Sequence, residues 1–309
     1  MAMTLSQLRT FLVVADAGSV RIAAESLLVS QPAVSAAIAS LERELGVELV
    51  ARHGRTLRLT RAGNAFAEHV RSSLGLLDQG SRRARSIDDP ERGTVRLVAV
   101  ATAAEQVLLP VVARFRQEHP DAGVTIQVGN RTTVWETLRH HEADLVVAGR
   151  PPVTVPANTL ARGGNRLVLI GPPPATPRAN GSDAMRDAAR ETWLLREPGS
   201  GTRAAADALL AELDIDPPTM ILGSNAAIER AVELRLGVGL ISLDASAERI
   251  SRGAVSVWAC PGTPIDRPWH LVCSSDEPLG PTALALARSM VGPGGGLKAT
   301  AEGRRILRS

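Results

Sequence analysis

The chain has 309 residues, 44% of them hydrophobic and 22% charged, a length and balance that fit two or three soluble domains with buried cores. Its net charge of +3 permits a local basic face without demanding one, and its arginine bias (Lys298 is the only lysine) reads as GC-rich coding. Two cysteines, Cys260 and Cys273, exclude a disulfide framework and a cysteine metal cluster. No apolar stretch approaches the roughly 18 residues of a membrane span, and Asp16 interrupts the short apolar run at Leu12, so a cytoplasmic protein with no membrane partner is expected.

The first 60 residues read as three short helices and a hairpin. Thr4 with Gln7 forms a capping box, and Leu5, Leu8, Phe11, Leu12 and Ala15 follow with helical period. Gly18-Ser19 ends that helix and starts a second, striped by Val20, Ala23, Ala24 and Leu27. Ser30 caps a third, where Pro32 sits in a first turn whose amides need no partner. Val34, Ile38, Leu41 and Leu45 should point inward, leaving Gln31, Pro32, Ser35, Ala36 and Ala39 on other faces. A third helix with small residues outside can enter the major groove, Gln31 pairing with adenine and Ser35 with several base edges. The run from Leu49 to Thr60 reads as two short strands around a tight turn. On it Arg52, Arg55 and Arg58 can reach phosphates or the minor groove, and Ser30 and Arg21 complete the candidate contacts to double-stranded promoter DNA.

These residues carry a family likeness. Gly18-Ser19, Ala23-Ala24, Leu27, Ser30 to Ser35, Ile38, Leu41-Glu42, Leu45-Gly46, Leu49, Arg52, Leu59-Thr60 and Gly63 closely resemble the LysR-type transcriptional regulators. The resemblance implies that Gln31, Pro32 and Ser35 approach bases while Arg52 and Arg55 contact DNA from the wing. It departs at Val20, where many members carry an aromatic, at Ala36, where many carry Arg, and at Val50, where many carry Phe. Without an arginine at 36, specificity is expected to rest on Gln31, Ser35 and DNA shape.

From Arg61 to about residue 86 the sequence is helix material without proline. Ala62, Phe66, Val70, Leu74 and Leu77 form a stripe expected to pair two copies, since recognition helices about 34 Å apart need a symmetric spacer. In the family this linker helix pairs with its mate, which implies a homodimer or homotetramer. Asp88 to Gly93 reads as a hinge.

Beyond residue 93, strand-like segments are expected at 94–101, 123–129, 144–149, 166–171, 192–195, 220–223, 238–243, 254–259 and 269–274. Helices are expected at 103–118, 131–141, 202–213, 225–236 and 280–291. Such alternation predicts parallel α/β architecture with ligands at strand ends, facing helix N-termini. Thr102, Asn130, Arg131 and Arg150 stand at such ends. So do Ser200, Gly201, Thr202 and Arg203 in a Gly-rich loop, and Asn225 after Gly223-Ser224. Each alone is ordinary turn chemistry; together they read as a cleft for a small anion.

The family resemblance implies a two-subdomain α/β effector-binding domain of periplasmic-binding-protein type, with crossovers near 158–164 and 264–268. The expected layout is a winged helix-turn-helix at 1–60, a linker and dimerisation helix at 61–88, and an effector-binding domain at 89–309. Its subdomains span about 93–160 with 268–292, and 161–267. The loops at 129–131, 149–152, 196–203 and 222–228 look most like regulators of Calvin-cycle carbon-fixation operons. That implies a phosphorylated metabolite, an organic acid or a nicotinamide nucleotide as effector, no bound cofactor, and RNA polymerase as a partner. The segment after Val291, opening on Gly292-Pro293-Gly294-Gly295-Gly296, is expected to be mobile.

The expected function is therefore an effector-switched transcriptional regulator. One alternative is an enzyme acting on a phosphorylated small molecule with an appended DNA module, but no carboxylate pair, metal cluster or nucleophile–base set emerges, and His140-His141 reads as a solvated edge. The other, a repressor without ligand, would leave the second domain idle.

Overall fold

A computed structural model describes residues 3–53, 56–87, 92–173 and 188–308. It divides into two compact units, Met1–Arg82 with His140–Glu142, and Arg83–Arg139 with Ala143–Ser309.

The first unit opens with α1 (Leu5–Ala17), α2 (Val20–Leu27) and α3 (Gln31–Leu45). Thr4 accepts from the Gln7 amide at 3.2 Å while the Gln7 side chain takes the Thr4 amide at 2.9 Å, closing the capping box. Ser19 and Ser30 cap α2 and α3. Phe11, Val14, Ala23, Ala24, Val34, Ile38 and Leu41 are buried together, the alanines permitting close helix approach. Leu5, expected in the stripe of α1, is half exposed.

Strands β1 (Val50–His53) and β2 (Thr56–Leu59) pair antiparallel as the wing, and α4 (Arg61–Ile87) follows. Glu42 anchors the wing's base, its carboxylate accepting from the Leu49 and Val50 amides at 2.8 and 3.2 Å. Gly63 permits the close crossing of α4 over this base, since a Cβ there would stand 1.9 Å from the Leu49 carbonyl oxygen.

The stripe on α4 requires a correction. Val70 is buried in the core of its own chain, with Phe66 and Leu74 packed beside it and the Phe66 ring 5.4 Å from that of Phe11. The three-helix body takes the first half of the stripe because its apolar faces would otherwise remain open. Leu77, with its neighbour Leu76, stays exposed.

The second unit starts with β3 (Thr94–Val100), a short α-turn Ala101–Ala103 and a π-turn Ala104–Leu108 leading into α5 (Leu109–Glu118). The expected continuous helix changes register here, because Pro110 offers no N–H to the carbonyl four residues back. Then come β4 (Gly123–Gly129), α6 (Arg131–Arg139), β5 (Leu145–Ala148), β6 (Ala157–Gly163) and β7 (Arg166–Gly171). They are followed by β8 (Trp193–Leu195), α7 (Gly201–Glu212), β9 (Thr219–Ile221), α8 (Asn225–Glu233), β10 (Gly239–Ser242) and α9 (Ala247–Ser251). The remainder is β11 (Ser256–Trp258), β12 (Ile265–Asp266), β13 (Trp269–Ser274), α10 (Pro281–Val291), β14 (Lys298–Ala299) and α11 (Ala301–Ile306).

Among the described residues these strands make a six-stranded sheet, β14-β6-β13-β5-β3-β4, and a second sheet in which β7 pairs β10, β11 and β12; β8 and β9 pair separately. Among the described strands only β3-β4, β3-β5 and β8-β9 pair parallel, with one isolated parallel bridge from Trp193 to Val238, so the sheets are mixed rather than parallel as expected. Chain reversals at β6, β13 and β14 bring antiparallel neighbours. Segment 158–164 is mostly strand β6, which confines the first crossing between sheets to Gly164 and Asn165. The second, expected over 264–268, narrows to Arg267 and Pro268, because Ile265–Asp266 still pairs with β7.

The segment after Gly296 is ordered, against expectation. β14 pairs with β6, Leu297 and Leu307 are buried, and the Thr300 hydroxyl donates to the Thr159 carbonyl at 2.6 Å. A glycine-rich start does not unbind a tail that carries its own apolar anchors and cap.

Within β13, His270 is buried, with no hydrogen-bond partner for Nδ1 among the described residues. Burial, then the charges of Arg162 and Arg150, lower its pKa to about 4. An unfolded histidine takes up a proton near pH 6.5, so the unfolded chain binds more protons between pH 6.5 and 4, and stability falls as pH drops through that window. The loss amounts to about 3 kcal/mol at most. Chemical denaturation at successive pH values should show this slope in the wild type and its reduction in His270→Gln; equal slopes would contradict the assignment.

Candidate DNA-contact surface and effector cleft

Gln31, Pro32 and Ser35 are exposed on the first turns of α3, opposite buried Val34, Ile38 and Leu41. Ser30 is exposed, but its hydroxyl oxygen accepts from the Ala33 amide at 3.3 Å as the helix cap. Arg21 is exposed and paired with Glu25 at 2.6 Å, a surface contact of small worth. On the wing, strand pairing sets Ala51 opposite Arg58 and Arg52 opposite Leu57. Because side chains alternate, Arg52 and Arg58 leave opposite faces of the hairpin. Arg55 lies outside the described residues.

In the second unit, a cleft lies between the two sheets, with about 630 Å3 of space counting its part open to solvent. Six of the nine candidate effector residues line it: Thr102, Asn130, Arg131, Ser200, Gly201 and Thr202. They arrive on the ends of β3 and β4 and the starts of α6 and α7. Asn130 caps α6, its side-chain oxygen accepting from the Thr133 amide at 3.0 Å, and Ser200 caps α7. Both helices thus turn amides lacking intrahelical partners toward the cleft wall.

The other three are placed differently. Arg150 is exposed and contributes only its carbonyl, which accepts from Arg131 Nη1 at 2.9 Å. A side chain ending an outer turn has no reason to fold back over its own prolines. Arg203 Nε donates to Asp207 at 2.7 Å and lies outside this cleft. Asn225 donates to the Thr102 hydroxyl and accepts from Arg196 Nη1 at 2.5 Å, and so braces the wall from behind.

The structure adds Arg267, Asn165, Ser242 and Trp269 to the lining. Asn165 and Arg267 are the crossing residues themselves: Asn165 Nδ2 donates to the Arg267 carbonyl at 2.9 Å, and the Arg267 amide donates to the Asn165 carbonyl at 2.9 Å. Polar residues at both crossings were the signal available in the sequence. Arg267 and Arg131 flank Gly201, and burial followed by the Arg267 charge lowers the Arg131 pKa from its ordinary value. No carboxylate lines the cleft among the described residues. Three arginines line the cleft, and since Arg196 is paired with Glu197 at 2.7 Å, Arg131 and Arg267 make the receptor for negative charge.

Residues 5–64 match the family described as "Bacterial regulatory helix-turn-helix protein, lysR family", and residues 88–292 match the "LysR substrate binding domain". The chain belongs to the LysR family of transcriptional regulators. The regulator CfxR of Cupriavidus necator is 33% identical over 288 residues, covering 91% of this chain and 89% of CfxR. The RuBisCO operon transcriptional regulator of Allochromatium vinosum is 32% identical, covering 92% of this chain and 94% of its own length. Among solved structures, the regulatory domain of Synechocystis CcmR, in complex with 2-PG, is 26% identical with a TM-score of 0.55, covering 60% of this chain and 89% of that one.

The LysR membership makes this chain a DNA-binding regulator with a domain for small-molecule effectors, and its relatives are regulators rather than enzymes. The likeness to carbon-fixation regulators read from the loops agrees with the relatives matched over 91% and 92% of the chain. Among the described residues no single helix is long and apolar enough to cross a membrane.

Proposed function

We propose that the cleft between the two sheets binds a small anionic metabolite, a phosphorylated compound or organic acid, and that its occupancy sets how paired chains hold promoter DNA. The observation that carries this reading is the approach of Arg131 and Arg267 in a cleft without a lining carboxylate. The CcmR domain with 2-PG supports a phosphorylated ligand of similar size. Likeness to a RuBisCO operon regulator supports a target in carbon fixation. A nicotinamide nucleotide is the third class to be screened. Gln31, Pro32 and Ser35 read bases in this scheme, Arg52 or Arg58 holds phosphate, and the regulator works in the cytoplasm, addressing RNA polymerase from its operator.

Calorimetric titration with 2-phosphoglycolate, dicarboxylates and reduced nicotinamide nucleotide tests the cleft. Binding by at least one, with a changed footprint on promoter DNA, is expected; binding by none would end the anion reading.

Pairing through α4 is assigned to its exposed face. Leu77→Asp is expected to lower the mass measured by light scattering without reducing monomer stability. Val70→Ala should instead cost about 2 kcal/mol of stability and leave the mass unchanged. The reverse pattern would return the dimer contact to Val70.

A further inference from the structure

Three residues just past the end of α6, His140–Glu142, lie far along the chain yet belong to the first unit. Expected as a solvated edge, this corner is instead packed: His140 is 6% exposed, and its Nε2 stands 3.2 Å from Glu68 Oε2 of α4. Gly75, two turns further along α4, meets the backbone of the corner. A Cβ there would stand 1.8 Å from the His140 carbonyl oxygen, so only glycine fits. Glycine weakens a helix interior, and this close approach is what it permits. The charge of Glu142 acts on Arg71, whose Nη1 donates to Asp16, near the end of α1, at 3.2 Å.

Glu68, Arg71 and Gly75 recur at steps of three and four residues, and so share one face of α4. Phe66, Val70 and Leu74 take another face, against the three-helix core. α4 is thus held on one side by the helices of the DNA-binding body and on another by the corner. The corner in turn is continuous with α6, a nine-residue helix about 13 Å long, whose first residue, Arg131, lines the effector cleft. His141 closes that helix with φ at +55°, a left-handed turn uncommon outside glycine, and its Nδ1 is buried with no hydrogen-bond partner among the described residues. A packed corner of fixed conformation passes on a displacement of its helix rather than absorbing it.

We infer that α6 is the rod through which the effector cleft addresses the DNA-binding unit. A ligand held by Arg131 shifts α6, the His140–Glu142 corner shifts with it, and the seat at Gly75 turns this into a movement of α4. His140 and Gly75 are positioning residues in this scheme, lining neither the cleft nor the exposed start of α3. The inference rests on the proposed function for the place of the ligand. Linkage is reciprocal, so DNA bound by the first unit bears on the start of α6 in equal measure.

The test measures DNA affinity of the full chain with and without 2-phosphoglycolate, on a duplex that the wild type selects from random sequence. Saturating 2-phosphoglycolate should change the wild-type Kd for this duplex by at least about fivefold. Gly75→Ala, which cannot seat the corner, should reduce that change to less than about twofold, while the 2-phosphoglycolate Kd without DNA stays the same. Gly80→Ala is the control: on the same helix, with nothing within 4 Å of its Cβ, it should raise Tm and keep the full coupling. Full coupling in Gly75→Ala, equal loss in Gly80→Ala, or bound 2-phosphoglycolate without effect on wild-type DNA affinity would overturn the relay. If 2-phosphoglycolate does not bind, the anion reading falls, and hydrogen exchange decides on the relay alone. The duplex should then change amide exchange at residues 130–133 in the wild type and in Gly80→Ala, but not in Gly75→Ala. No change in the wild type, or the same change in Gly75→Ala, would overturn the relay. Should Gly75→Ala not fold, Glu68→Ala, which removes the His140 contact at a half-exposed position, takes its place in both measurements.

Discussion

Arg267→Ala should weaken binding of a small phosphorylated anion by roughly 10- to 150-fold, the loss of about 1.5–3 kcal/mol for a hydrogen bond to a charged group. The same change should leave the ligand-free protein as stable as before, or slightly more so. In that state Arg267 faces another guanidinium across Gly201, and its removal relieves a like-charge contact. Thermal shift assays with and without ligand separate the two effects: the ligand-induced rise in Tm should shrink while the unliganded Tm holds. Arg267→Lys keeps the charge but loses the planar fork, so partial recovery is expected. Arg131→Ala is a less clean probe, because it also breaks the 2.9 Å bond to the Arg150 carbonyl. An Arg267→Ala variant with unchanged affinity would place the anion elsewhere.

Gln31→Ala should relax discrimination at one or two base positions by about 1–3 kcal/mol each, with little change in binding to unrelated DNA. Gln31 opens α3 and is exposed beside Pro32 and Ser35, where a short helix start can approach base edges. Phosphate contacts behave otherwise. Replacing Arg52 or Arg58 should weaken all sequences alike and flatten the salt dependence. Competition binding with single-base operator variants over a range of salt concentrations measures both quantities. Full sequence preference in the Gln31 variant would remove α3 as the reader.

What was legible in the chain followed local rules. The inward set of α3 was readable because a 3.6-residue period leaves Val34, Ile38 and Leu41 on one side. Asn130 and Ser200 were readable because helix caps have a narrow choice of residues, and caps at strand ends gather where a cleft opens. Arg150 and Arg203 obeyed the same pattern and missed the cleft, since position at a strand end does not fix where a long side chain goes. The stripe of α4 was correctly apolar, yet nothing in its spacing told a partner's helix from the chain's own core. Arg267 had only its place in the expected second crossing to mark it, with no cap or Gly-rich loop beside it.

The amino-acid order alone determined the helix-turn-helix, the exposed face at the start of α3, the alternation of strands and helices, and the family to which they belong. These rest on period, caps and turns, interactions spanning a few residues. Folding in three dimensions decided which arginines meet, since Arg131 and Arg267 lie far apart along the chain and converge only where it crosses between sheets. It also decided that Val70 serves its own core and that the tail closes the edge of β6. Such choices depend on which surfaces compete for burial, a property of the packed whole and of no single segment.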